Sequence, residues 1–169
     1  MIRRLALVVA SLLGAAVLTS CATFTENANA ASVNGVELEQ DTLTQYIEDV
    51  LTATRDGEIP DTLEGDTMRT IIGGWIVDEL IRQFLAEQQI AITPDDVAAA
   101  EQEFENTLNG LQVSDLVRQF EVDRIVVRSI FERTQEPGAL SDIAARSDIQ
   151  VDPRYGVWSN TVGNVVPLG

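Results

Sequence analysis

The side chains able to do chemistry in this chain are few in kind. Its charge rests on 27 Asp and Glu residues against 11 cations, all of them arginine, and it contains one Cys and no His. An imidazole base, an amine nucleophile and a His- or Cys-based metal site are therefore excluded, leaving carboxylates, hydroxyls, guanidinium groups and a single thiol. That thiol, Cys21, directly follows Leu18-Thr19-Ser20 at the end of an almost wholly apolar run from Leu5 to Leu18, with Arg3 and Arg4 before it. A lone Cys is more often a small buried apolar residue than a reactive one.

The apolar run is shorter than the roughly 20 residues a bilayer-spanning helix takes, and with its basic flank it reads as a secretory signal. Leu18-Thr19-Ser20-Cys21 resembles the bacterial lipoprotein signature, which implies lipid on Cys21 and cleavage just before it. Residues 1–20 are then a signal peptide, 21–30 a lipidated Cys with a tether, and 31–169 the folded domain. Ordinary secretory cleavage would use a small-x-small site such as Ala28-Asn29-Ala30, about ten residues past the apolar run. One acyl chain holds a protein to a membrane only marginally, whereas two or more hold it durably. Loss of Arg3 and Arg4 takes the net charge from −16 to −18, a surface that repels nucleic acid and anionic headgroups alike. The expected location is the extracytoplasmic face of the cell membrane, with the lipid as the only membrane contact, no nucleic-acid partner, no cofactor and no metal.

The elements that would follow the tether are mostly helical. Val33-Asn34-Gly35-Val36 predicts a short strand and a tight turn. Leu43, Ile47, Val50 and Leu51 have helical spacing, which gives a first helix over 40–54. The acidic stretch 57–66 carries Glu58, Asp61, Glu64 and Asp66; Pro60 and the irregular spacing do not fit an EF-hand, and a solvated loop is the better reading. A second helix spans 67–89, interrupted by Gly73-Gly74, where a close helix crossing or a bend is expected. Its stripe of Ile71, Ile72, Trp75, Ile76 and Leu80 reads as core.

Thr93-Pro94-Asp95-Asp96 starts a third helix with an N-cap, a proline in the first turn and two carboxylates at the positive end of the dipole, so the paired aspartates need no catalytic role. Ser114-Asp115 caps a fourth helix too apolar for one stripe, which predicts burial on two sides or a surface offered to a partner. A short helix over 139–146 follows, then a strand-like Ile149-Gln150-Val151, and a tail from Ser159 that reads as irregular. The fold class is mainly α: four to five helices closed by a small strand pair from the two ends of the domain, with Val33 and Val151 facing the core.

The order of these features resembles the N-terminal chaperone domain of SurA-like and PrsA-like foldases, in the form found in actinobacterial lipoproteins. The resemblance rests on Val33-Asn34-Gly35, on Ile90-Ala91-Ile92-Thr93-Pro94-Asp95-Asp96-Val97, and on Val151-Asp152-Pro153-Arg154-Tyr155-Gly156-Val157-Trp158, and covers most of 31–166. It implies a module that binds unfolded secreted polypeptides. The parvulin-type prolyl isomerase domain that often accompanies it has no counterpart in this chain, which also lacks the histidines such domains often use. The expectation is a non-enzymatic, lipid-anchored holder of unfolded secreted chains, with apolar patches on the second and fourth helices. A scaffold for one folded partner is the alternative, and a degenerate prolyl isomerase the third reading.

Overall fold

The computed structural model describes residues 29–54, 65–134 and 138–169; Cys21 and most of the acidic stretch 57–66 lie outside them. The described part is 63% helix, as the periodicity predicts. It runs β1 (Asn29–Val33), β2 (Val36–Glu39), α1 (Gln40–Thr54), α2 (Gly65–Glu87), α3 (Pro94–Leu108), α4 (Asp115–Thr134), α5 (Ala139–Arg146), β3 (Ile149–Val151), β4 (Val157–Ser159) and β5 (Asn164–Val166).

Asn34 and Gly35 both adopt positive φ, 49° and 87°, the conformation that lets a two-residue turn follow the twist of its strands. β1 is thereby folded back on β2 with Val33 opposite Val36, and on its other edge pairs antiparallel with β3, Val33 opposite Ile149 and Ala31 opposite Val151. The two ends of the domain do close on each other. Val33 is fully buried, and Val151 packs against the same core. Asn34 ties the turn to the far end of the chain: its backbone N–H donates to the Asp148 carbonyl at 2.8 Å and its Oδ1 accepts from the Asp148 N–H at 2.8 Å. Its amide also donates to Gln83 Oε1 of α2 at 2.7 Å.

The strand begins two residues earlier than the tether reading allows. Asn29 and Ala30 belong to β1, and the Ala30 carbonyl accepts from the Asp152 N–H at 3.0 Å. Ala30 is wholly buried, so the folded part includes Asn29 and Ala30.

α2 is the spine. Ile72, Ile76 and Leu80 join one core with β1, α1 and α5, while Ile81 and Leu85 join a second with α3 and α4. Thr93 caps α3 reciprocally with Asp96, each side chain accepting from the other residue's backbone N–H. These bonds, first from Thr93 and then from Arg133, lower the Asp96 carboxyl to about 2.

The tail departs from the sequence reading. β4 and β5 form a second antiparallel hairpin, Trp158 opposite Val165, and Val165 is buried against α2 in the first core. This hairpin explains half of the glycine pair in α2, for a Cβ on Gly73 would overlap the Asn164 side chain. What crosses closely at that point is therefore a strand rather than a helix. The hairpin's own entry is equally restricted. Gly156 has φ +135°, and a Cβ there would overlap the Val166 carbonyl oxygen. Gly156→Ala combines a disfavoured backbone conformation with a clash against backbone, and is expected to destabilise by about 3 kcal/mol or more. Chemical denaturation with an unchanged m-value checks it, and a midpoint within error of the parent would refute it.

Candidate functional site

The apolar surfaces of α2 and α4 do not form open patches. Among the described residues, the exposed large hydrophobics are Val36, Ile92, Leu111, Val157, Val162 and Leu168, none of them on α2 or α4. Of their half-buried aromatics, Phe84 and Phe131 pack edge to face on each other, while Trp75 and Phe120 face a groove of about 380 Å³ between α1, α2 and α4. This is near the lower end of the roughly 300–1,000 Å³ typical of ligand sites, enough for one or two side chains.

The groove is built from three helices that the sequence places separately. α1 contributes Tyr46, α2 contributes Ile71, Gly74 and Trp75, and α4 contributes Phe120. The Tyr46 and Phe120 rings lie 5.3 Å apart at 33°, a packing that fixes both walls. Trp75 is half-buried, and among the described residues its indole N–H has no hydrogen-bond partner. The other tryptophan, Trp158, donates to Asn160 at 2.7 Å.

Gly74 is the residue of the pair that packing does not explain. A glycine within a helix costs about 1 kcal/mol relative to alanine, yet a Cβ at Gly74 would meet no atom within 4 Å. Its effect is to leave the groove wall bare between Ile71 and Trp75.

The rim is ionic. Tyr46 donates to Glu121 Oε1 at 2.5 Å, and Arg124 pairs with the other oxygen of Glu121. Burial, then this bond to a carboxylate, raises the Tyr46 hydroxyl well above its ordinary pKa, so it stays a donor at physiological pH. Asp78 accepts from Arg128 Nε at 2.5 Å; burial raises its pKa and the guanidinium opposes the rise. A carboxylate with a raised pKa in a cleft is a candidate acid or base. Asp78, however, is committed to the Arg128 guanidinium. Arg82 spans Glu79 and Asp123 loosely, at 3.4 and 3.6 Å, and the Asp123 side chain is 50% exposed.

Cation pairing extends over the described surface. Each of Arg69, Arg82, Arg118, Arg124, Arg128, Arg133, Arg146 and Arg154 is engaged by a carboxylate. The excess charge is therefore carboxylate without a cation, including Glu37, Glu39 and Asp41 on β2 and the first turn of α1. No group of three or more His, Cys, Asp or Glu suited to a metal occurs among the described residues, and no described helix is long and apolar enough to cross a membrane.

Cys21, the one site residue that the sequence assigns, lies outside the described residues. The groove was not legible as a site. Tyr46, Trp75 and Phe120 carry only the helical periodicity of core residues, and nothing in Gly73-Gly74 distinguishes the glycine that admits a strand from the one that faces open space. No protein-family model matches the chain, and neither a curated protein nor a solved structure matches it.

Proposed function

We propose that this chain is a non-catalytic binding protein, held by lipid on Cys21 at the extracytoplasmic face of the membrane, that shelters segments of partly unfolded secreted polypeptides. The groove between α1, α2 and α4 carries this reading, because it gathers aromatic and aliphatic side chains of three helices in one recess. Of its carboxylates, Glu121 is engaged by Tyr46 and Arg124 and Asp78 by Arg128, while Asp123 is held only loosely by Arg82. A groove of this size can exclude water from one or two client side chains, a contact weak enough to be released on folding. The strong negative charge keeps the complex soluble and opposes contact with anionic lipid.

The experiment is a pair of assays on residues 22–169. The protein is expected to delay aggregation of an unfolded secreted client at near-stoichiometric ratio. It should leave unchanged the isomerisation of a proline peptide, which takes tens to hundreds of seconds uncatalysed at 25 °C. Acceleration of that step would replace a holder with an isomerase. Failure to delay aggregation, together with capture of one folded protein in fixed ratio, would make the chain a scaffold.

A further inference from the structure

We infer that the groove is a recognition pocket for an extended peptide segment bearing an apolar side chain next to a basic one, with Gly74 as the position that admits the apolar side chain and Asp123 as the carboxylate that meets the basic one. This rests on the reading of the chain as a polypeptide binder and names the class of segment it takes.

Three observations converge on the occupant. The first is the unexplained glycine: Gly74 lies in mid-helix with open space where a side chain would be, and that space is the groove itself. Bare backbone in a groove wall lets another chain approach closely. Trp75, the next residue, provides an apolar ring and an unpartnered N–H, which a peptide carbonyl can satisfy.

The second is the sign of the charge. Every described arginine is already paired, so an acidic ligand would have to compete with an internal carboxylate for its cation. A basic ligand at Asp123 has only Arg82 to displace, and that contact is long. Asp123 is half exposed and held only at 3.6 Å by Arg82, and Glu37, Glu39 and Asp41 lie without cations on the elements that bring Leu38 and Leu43 to the groove.

The third is volume. About 380 Å³ accommodates one or two side chains, so the main chain of the ligand runs across the mouth while a side chain enters. A segment combining an apolar residue with a neighbouring Arg or Lys satisfies the floor and the rim together.

The test uses a ten-residue peptide with Leu-Arg-Phe-Arg at its centre in a Gly/Ser background, a counterpart with Glu for Arg, and the protein carrying Trp158→Phe so that Trp75 is the fluorescent reporter. The basic peptide is expected to shift the Trp75 emission with saturable one-to-one binding that weakens as salt is raised; the acidic counterpart should bind at least tenfold more weakly. Gly74→Leu should reduce affinity at least tenfold while leaving the melting temperature unchanged or higher, since it removes a helix-interior glycine at a position where a Cβ meets no atom within 4 Å. Asp123→Asn should cost severalfold in affinity and flatten the salt dependence. Equal binding of both peptides, or full affinity in Gly74→Leu, overturns the proposal. If Gly74→Leu still delays client aggregation as well as the parent, holding occurs elsewhere, and the pocket falls while the holding function stands. If the parent neither binds the peptide nor delays aggregation, both fall. Displacement of the Trp75 signal by a long-chain fatty acid, with the peptide silent, would assign the groove to lipid and overturn the peptide reading.

Discussion

A chain ending at Ser147 is expected to lose its cooperative thermal transition. The last 22 residues, 148–169, contribute β3, β4 and β5, and their removal affects both ends of the domain. β1 loses the strand on one edge, along with the Asp152 N–H bond to Ala30 and the Asp148 bonds to Asn34. α1 loses the Tyr155 hydroxyl, which donates to Gln40 Oε1 at 2.6 Å. The first core loses Val165 and the partly buried Ile149, Val151, Tyr155 and Trp158. Each buried side chain of this size contributes about 1.5–3 kcal/mol, and the loss also uncovers Ala30, Ala31 and Val33, none of which has any exposure in the intact domain.

Together these terms rival the roughly 5–15 kcal/mol that holds a domain folded. A strand pair alone predicts a fall of several degrees in melting temperature; the additional hairpin on α2 predicts collapse of the transition. Circular dichroism on heating should show a broad, non-cooperative decay. A truncated protein melting within a degree or two of the intact one would mean that the C-terminal strands are accessory, and that β1 and β2 are stable on α1 and α2 alone.

The difference between those expectations shows where sequence reasoning reaches and where it stops. α1, α3, α4 and α5 were legible because their information is local: Thr93, Pro94 and Asp96 write a capping box within four residues, and Leu43, Ile47 and Leu51 repeat at the helical period. The Val33-Val151 closure was legible because both segments alternate. β4 and β5 are three residues each, too short for any period to register, and their partner is a bare glycine on a distant helix. That is why Gly73 signalled a crossing without naming the strand that crosses. Asn29 and Ala30 have no strand character of their own and are ordered by pairing with Glu39 and by the bond from Asp152. The groove lies further still from the sequence, since its walls are the leftover edges of core stripes on three helices, and only their juxtaposition makes a site.

Replacement of the single thiol, Cys21→Ser, is expected to abolish fatty-acid labelling and move the protein from the membrane fraction to the soluble one. The leader residues Leu18-Thr19-Ser20-Cys21 motivate this; no described helix is long and apolar enough to cross a membrane, and each described arginine is paired with a carboxylate. A polybasic contact with anionic headgroups, worth about 1 kcal/mol per cation near the surface, is thereby removed, and the net charge of −16 adds repulsion. On the proposed reading the anchor would depend on acyl chains, at about 0.8 kcal/mol per buried CH₂. The soluble Cys21→Ser protein should keep the parent's melting temperature, and this separates release from misfolding. Labelling and sequencing give the decisive contrast: undiminished acylation of the Ser variant, or a mature N-terminus at Ala31 rather than Cys21 in the parent, would make the chain an ordinary secreted protein and remove the membrane from its function.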